Sequence, residues 1–302
     1  MVQTMLPNEV HRRYRSLDTI AFWKGTEYRT FLHYMSVVIY KDYMFENAYK
    51  HYLLYFCAIT LFSTKAHQQF WQLGGRLLTL FVKNFETYYG RSHLTSNVHN
   101  LLHVYSDVLN HGELDKFSSY RSENHYQLLK KWVHSGTRCL EQVANRVHHF
   151  ASIHNFKTCT PPPYPILTRN QDGVHINKNF VLRPNRKDQW FLTRSKGIVK
   201  FLKVSNNANQ TVLIGSQFDC MAELFHLETS DDIGRIDLSS SDLHIYKVNN
   251  NTSTSFVEVP LKSILCKLVC VPLPSRSLSR YVFDPDLSAD FCAFFPLLHT
   301  FQ

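Results

Sequence analysis

The chain has 302 residues, of which 44% are hydrophobic and 19% are charged; this composition supports a packed core and excludes disorder as the main state. Lysine and arginine number 33 against 24 aspartate and glutamate residues, giving a formal charge of +9, which favours a polyanionic partner such as nucleic acid. Residues 1–16 lack the apolar centre of a secretory signal. The longest apolar run, residues 52–62, is shorter than the ~20 residues that span a bilayer.

The cysteines indicate a reducing compartment. There are seven of them, an odd number without a C-x-x-C motif, so a disulfide framework is not expected. We therefore expect an intracellular protein of the nucleus or cytoplasm that is neither secreted nor inserted in a membrane.

Apolar residues recur at three- and four-residue steps between residues 17 and 150, which predicts helices. Ser16 is a candidate cap for the first of them, and a segment that is apolar nearly all round, residues 44–62, predicts a buried central helix. In the last helix, Leu140, Val143, Ala144 and Val147 are expected to face inward. The predicted helical segments are residues 17–39, 44–62, 70–88, 98–109, 122–134 and 138–150.

A proline-rich segment, residues 159–165, ends the helical part because proline lacks an amide donor and clashes with the preceding turn. Short β-rich runs separated by turn residues follow it, a spacing typical of a small barrel or sandwich. We predict strands at residues 179–182, 189–193, 198–204, 211–214, 220–227, 243–248, 256–259 and 265–271. The predicted fold class is therefore α+β and multidomain: a helical domain (residues 1–155), a linker (156–175) and an all-β, barrel-like domain (176–302).

Positive charge is concentrated at the start of the β-rich part. Residues 157–203 carry ten basic groups against two acidic ones, whereas residues 204–302 carry six basic and eleven acidic groups. We take Arg183, Arg186, Lys187 and Lys196 as candidate nucleic-acid contacts, because phosphate neutralisation by lysine and arginine dominates such binding. A solvated basic face without a partner is the alternative.

Two further groups of residues are candidate metal ligands or phosphate contacts. His99 and His103 stand four apart in a predicted helix, a spacing that can hold a metal, although a polar, hydrogen-bonded role beside the core also explains them. Glu123 opens a predicted helix, where the helix dipole favours an acidic residue and where a carboxylate can also ligate Mg²⁺. Lys130 and Lys131 follow in the same helix and either contact phosphates or solvate it.

Three blocks of the helical part resemble the C-terminal part of transposases of the CACTA (EnSpm) superfamily, and most closely the transposase domain-containing proteins derived from them. The third block of that family has a pattern N-[MV]-H-x-L-x-H, a glycine, and then Y/F-P-F-E-x-[YF]-x-x-x-L-K. Arg121 and Ser122 replace the usual Pro-Phe before the glutamate. The resemblance covers residues 6–150, and the positions that match the pattern are Asn97, His99, His103, Gly112, Glu123, Tyr126 and Lys130.

The resemblance implies an RNase H-like enzyme in which two aspartates and a glutamate hold two divalent metals, Mg²⁺ or Mn²⁺, that activate water. Glu123 matches the place of the third carboxylate. The strands that carry the two aspartates have no counterpart in this sequence, since Asp18, Asp42 and Asp107 lie on predicted helices.

We therefore expect a transposase-derived, catalytically incompetent, DNA-associated nuclear protein that needs no cofactor of its own. The alternative is a protein-interaction module that binds a chromatin or transposase partner, or a second copy of the chain, without binding DNA. An active metal-dependent nuclease would require carboxylates besides Glu123.

Overall fold

Helices form the first half of the chain and antiparallel strands the second. The computed structural model describes residues 6–10, 12, 15–154, 163–170, 172–207, 210–273 and 290–302. The helices are α1 (Gly25–Tyr34), α2 (Ser36–Tyr43), α3 (Glu46–Phe62), α4 (Trp71–Tyr89), α5 (Ser96–Asn100), α6 (Val104–His111), α7 (Leu114–Phe117), α8 (Tyr120–Trp132) and α9 (Cys139–His154). Short 3-10 helices lie at Leu17–Phe22, Lys65–Phe70, Arg91–His93, Leu101–His103, Ser240–Leu243, Leu261–Ser263 and Leu298–Thr300.

The strands are β1 (Ile166–Leu167), β2 (Val174–Asn177), β3 (Phe180–Leu182), β4 (Trp190–Thr193), β5 (Ile198–Asn207), β6 (Gln210–Phe218), β7 (Ala222–Glu223), β8 (His226–Ser230), β9 (Arg235–Ser239), β10 (Tyr246–Asn249), β11 (Thr254–Pro260), β12 (Ile264–Pro272) and β13 (Phe291–Pro296). Eight of them form one antiparallel sheet in the order β11-β6-β5-β4-β12-β13-β10-β7. The described strands leave this sheet open, with β11 and β7 at its edges, and it curls into a half-barrel. A helical region followed by a barrel-like antiparallel sheet is therefore confirmed.

The buried central helix is also confirmed. Eleven of the seventeen residues of α3 are buried, as expected for a helix that is apolar nearly all round. The next helix, α4, ends where the sequence predicted, at Gly90, whose φ of +84° is a conformation that glycine adopts without steric cost.

Three predicted helices differ from the structure. The first is divided into a 3-10 helix, α1 and α2, although the Ser16 side chain caps it by accepting from the Asp18 amide. The fourth is interrupted, because the 3-10 turn Leu101–His103 separates α5 from α6. The inward stripe of α9 is wrong: Leu140 is 86% exposed and Val147 is 49% exposed, since α9 contacts α8 and does not reach the main core.

The strands β12 and β13 join the two halves of the molecule. Side chains of a strand alternate between its two faces. On β13, Ala293 and Phe295 belong to the largest core cluster, which also contains residues of α1–α4, whereas Cys292 and Phe294 belong to a separate cluster. Phe56 of α3 meets Phe225 edge to face at 5.9 Å between ring centroids. The largest core is thus built by helices and strands together.

The domain boundaries predicted at residues 1–155, 156–175 and 176–302 stay a prediction. Residues 156–162 and 171 of the predicted linker lie outside the described residues. Among the helices that the structure describes, none combines the length and apolarity that a bilayer span requires.

Candidate functional site

The first part of the β region carries nine described basic side chains on its turns and on β5. The β2–β3 turn, the β3–β4 loop and the β4–β5 turn hold most of them, so that they project from the ends of short strands. These residues are Arg169, Lys178, Arg183, Arg186, Lys187, Arg194, Lys196, Lys200 and Lys203.

Local hydrogen bonds fix the two segments that present the predicted contacts. In the β3–β4 loop the side-chain oxygen of Asn185 accepts from the amides of Lys187 at 3.0 Å and Asp188 at 2.9 Å, an arrangement typical of asparagine in turns. In the β4–β5 turn Lys196 has a φ of +64° and its amide donates to the Thr193 carbonyl at 2.9 Å. Both turns therefore hold their basic residues on ordered backbone.

We call Arg183, Arg186, Lys187 and Lys196 the basic loops. The Arg186 and Lys196 side chains are exposed, and those of Arg183 and Lys187 are half-buried. The structure brings the first three together in one loop and places Lys196 in the neighbouring turn.

The nearest acidic residue in the sequence does not neutralise this surface. Asp188 is 1% exposed and its carboxylate accepts from the buried Lys267 ammonium at 2.7 Å. Asp172, the other acidic residue of the stretch, is exposed. The Asp188 carboxylate is therefore held in the interior by Lys267 and not at the surface of the basic loops.

Lys196 also affects a neighbouring imidazole. Burial lowers the pKa of His244, and the positive charge of Lys196 lowers it further. His244 is therefore held neutral at pH 7 and does not add to the positive charge of this surface.

Lys130 and Lys131 are exposed in the last turn of α8, in the helical region. No described contact joins them to the basic loops. Cations at a helix C-terminus interact favourably with the helix dipole. This interaction and exposure to solvent explain the position of the two lysines without a phosphate contact.

Glu123 lies in the first turn of α8, where it is exposed. Its amide donates to the Ser119 carbonyl at 2.8 Å. Among the described residues, no three His, Cys, Asp or Glu side chains lie close enough to hold a metal ion. Because Mg²⁺ and Mn²⁺ need several converging oxygen ligands, the donor set around Glu123 does not fit the two-metal site that the resemblance implies.

His99 and His103 are brought together, with ring centroids 5.6 Å apart in an edge-to-face arrangement. Both are exposed, one on α5 and the other in the 3-10 turn that follows. Both rings therefore lie at the surface and not beside the core.

A buried charge network that the sequence analysis did not select supports the basic loops from behind. The Lys267 ammonium donates to Glu9 at 2.6 and 2.8 Å, to the Val181 carbonyl at 2.7 Å and to Asp188. Asn8 adds a hydrogen bond from its side-chain amide to Asp188 at 2.6 Å. The sequence signal for this network was a lysine within an apolar strand. The partners of this lysine are distant in sequence, so the network itself could not be identified.

One protein-family profile matches part of the chain. A profile described as a domain of unknown function (DUF8592) matches residues 163–285, which include the basic loops and most of the strands. No curated protein and no solved structure matches the chain. The matched segment begins after the helical region, so this part of the molecule recurs as a sequence unit.

Proposed function

We propose that the protein is a DNA-associated, catalytically incompetent derivative of a CACTA-type transposase that contacts the phosphate backbone through the basic loops. The concentration of basic side chains on the β3–β4 loop and the β4–β5 turn carries this proposal, and it is supported by the burial of Asp188 against Lys267. The motif positions in residues 97–130 support the transposase origin, and a nuclear location follows from DNA association.

Binding of this kind is electrostatic and tolerant of sequence. Each phosphate that lysine or arginine neutralises releases counterions, so that log K falls with log salt by a slope of ~0.9 per contact. The basic loops consist of side chains on turns, not of a helix or ribbon shaped for the major groove. We therefore expect backbone contacts without base readout.

The first test replaces Arg183, Arg186, Lys187 and Lys196 together by Gln. The variant should bind duplexes of unrelated sequence more weakly, and its salt slope should fall by up to ~0.9 for each lost phosphate contact. Fluorescence anisotropy over a salt series measures both quantities.

A charge-matched control replaces the exposed residues Lys41, Lys65, Arg91 and Lys262 by Gln, which lowers the net charge equally at other places. Equal losses in both variants would show that only net charge matters. Unchanged binding in the first variant would exclude the basic loops as the interface.

Catalytic incompetence is tested with supercoiled DNA in Mg²⁺ or Mn²⁺. We expect no nicking by the natural chain or by Glu123→Gln, because phosphoryl transfer depends on metal ions held by several carboxylates. Nicking by the natural chain that Glu123→Gln abolishes would overturn this part of the proposal.

A second candidate function is protein interaction through α9. Leu140, Val147 and Phe150 are exposed on this helix, at 86%, 49% and 44%, and exposed apolar groups of this kind mark interaction surfaces. Binding through such a face depends weakly on salt, whereas phosphate contacts are lost steeply as salt rises. The salt series therefore separates the two candidates.

A further inference from the structure

Two cavities join between the helical region and the β region. The first, of about 510 Å³, is lined by tyrosines of α1–α3 and α8. The second, of about 640 Å³, extends from it to the β2–β3 turn. Arg29, Asp115, Ser118 and Tyr120 line both, so the two cavities form one cleft with two ends of different chemistry.

The first end, which we call the tyrosine pocket, is aromatic. Its walls include Phe31 and Leu32, together with Tyr28, Tyr40, Tyr52, Tyr55 and Tyr120. Burial raises the pKa of Tyr52 and of Tyr55, so these hydroxyls stay protonated and this end of the cleft carries no phenolate charge. Aromatic walls of this kind accept a planar ring by stacking and edge contacts.

One polar group in the tyrosine pocket is left without a protein partner. His33 is 6% exposed and lines the pocket, and its Nδ1 has no hydrogen-bond partner among the described residues. Burial, aided by the positive charge of Arg29, lowers the pKa of His33 to about 3, so the ring is neutral. Because an unpaired buried polar atom is costly, His33 is suited to exchange a hydrogen bond with a polar atom of a bound ring.

The second end, which we call the cationic end, is positively charged. Lys178 and Arg183 line it, and neither side chain has an ion-pair partner in the part of the chain that the structure describes. Both carboxylates of this end already have ion-pair partners. Asp115 forms a two-point ion pair with Arg29 at 2.5 and 2.8 Å, and Glu9 contacts Lys267 at 2.6 Å, a cation that it shares with Asp188. Among the described residues that line the cationic end, Lys178 and Arg183 are thus the cations outside these ion pairs.

We propose that this cleft binds a nucleoside monophosphate, with the base in the tyrosine pocket beside His33 and the phosphate at Lys178 and Arg183. Phosphate on lysine and arginine gives charge-assisted hydrogen bonds. The cavity volumes lie within the ~300–1,000 Å³ usual for small-molecule sites. This site shares Arg183 with the basic loops, whereas His33 and Lys178 belong to the cleft alone.

The test is isothermal titration calorimetry of the full chain with the four common ribonucleoside 5′-monophosphates, with the corresponding nucleosides and with inorganic phosphate. We expect at least one monophosphate to bind at least tenfold more tightly than its nucleoside and than phosphate alone. Absence of binding by all four monophosphates, or phosphate binding as tightly as any of them, would overturn the proposal.

Variants locate the site. Lys178→Gln should weaken monophosphate binding about tenfold, the loss of one charge-assisted contact, without changing nucleoside binding. His33→Leu should weaken both, while Lys262→Gln, at an exposed position outside the cleft, should change neither. Because Lys178 is exposed, we expect Lys178→Gln to keep the fold. This variant therefore tests phosphate binding in the cleft even if His33→Leu unfolds. Unchanged monophosphate binding in Lys178→Gln would exclude the cleft.

The same variants in the duplex assay separate this site from the proposed function. His33→Leu should bind duplex DNA like the natural chain, and the four-residue variant of the basic loops should lose duplex binding whether or not monophosphates bind. Loss of duplex binding in His33→Leu, with the fold intact by circular dichroism, would contradict the separation of the tyrosine pocket from duplex binding.

Discussion

At the scale of single residues, Lys267 holds together parts of the chain that are far apart in sequence. Its side chain is fully buried, with Glu9 and Asp188 as partners, and it links the segment before the helices to β3 and β12. A protein with a buried ion pair is often no more stable than one in which apolar residues replace the whole pair. Removal of only one partner, however, leaves an uncompensated charge in the interior and lowers stability.

Lys267→Met should therefore lower the free energy of unfolding by ~3–5 kcal/mol, since two buried carboxylates lose their cation. Urea unfolding followed by circular dichroism measures the change. The matched control, Lys262→Met at an exposed position, should stay within ~0.5 kcal/mol of the natural chain. A loss below ~1 kcal/mol in Lys267→Met would mean that the two carboxylates are solvated or protonated once the lysine is removed.

Glu27 gives the fold a dependence on acid. Its carboxylate is buried and accepts from the Arg15 side chain at 2.8 and 3.0 Å. This hydrogen bond, with the Lys24 amide assisting against the effect of burial, lowers the pKa of Glu27 to about 2 from an ordinary value of 4.5. The folded state thus binds fewer protons than the unfolded state between these two values, so stability rises with pH there.

We predict that the stabilisation by Glu27 is complete above about pH 4.5 and is lost as the pH falls toward 2. In Glu27→Gln the free energy of unfolding should be lower at pH 6 and should fall less steeply between those pH values. Chemical denaturation at a series of pH values tests this, with Glu86→Gln on the exposed face of α4 as control. An equally steep fall in Glu27→Gln would exclude Glu27 as a source of the acid dependence.

At the scale of elements, α4 and α9 have similar apolar stripes and different surroundings. Leu77 of α4 is fully buried, whereas Leu140 of α9 is 86% exposed. Trp132 of α8 stacks on Phe150 of α9 at 5.3 Å between centroids, so α9 is attached to the helical region through α8. The apolar stripe of α4 is therefore buried and stabilises the core, whereas the apolar stripe of α9 is exposed.

Leu77→Ala should cost ~2–5 kcal/mol of unfolding free energy, because it leaves a cavity in the core. Leu140→Ala should cost less than ~0.5 kcal/mol, because it changes only exposed surface. Thermal and urea unfolding of both variants compare them directly. A cost of several kcal/mol for Leu140→Ala would show that α9 packs its stripe against the protein.

How much of these elements the sequence predicts depends on how local their cause is. The periodicity of α3 and the end of α4 at Gly90 are local, and both were predicted. Strand β13 was missed because all its residues after Phe291 are buried, which removes the alternation by which a half-exposed strand is recognised. The stripe of α9 was read as inward because periodicity identifies an apolar face but not its partner.

The candidate site shows the same limit. The sequence placed the cations of the basic loops in one charged stretch, and the structure keeps three of them in one loop. The removal of Asp188 into the interior could not be predicted, since its partner Lys267 lies 79 residues away. The cleft was missed as well, because His33, Tyr120 and Lys178 come from three elements that only the tertiary fold brings together.

At the scale of the whole molecule, the helices and the sheet share a core, although a proline-rich segment separates them in sequence. Residues of α1–α4 and of β8, β9, β12 and β13 belong to one buried cluster. Arg76 of α4 adds a two-point ion pair to Asp231 in the β8–β9 turn, at 2.7 Å on both contacts. This pair holds the pKa of Asp231 well below its usual range.

Limited proteolysis should cut the chain between residues 156 and 179, because the sequence has three consecutive prolines there, residues 161–163, and proline cannot continue a helix. The two fragments should nevertheless elute together on size-exclusion chromatography in native buffer, because separating them would expose the apolar surface of the shared core. In denaturant they should separate into fragments of about the sizes of residues 1–155 and 175–302.

Arg76→Gln should loosen the nicked complex in dilute buffer, with Lys41→Gln as an exposed control on α2. Fragments that separate and stay folded in native buffer would establish two independent domains, and protection of residues 156–179 with cuts elsewhere would refute the predicted boundary.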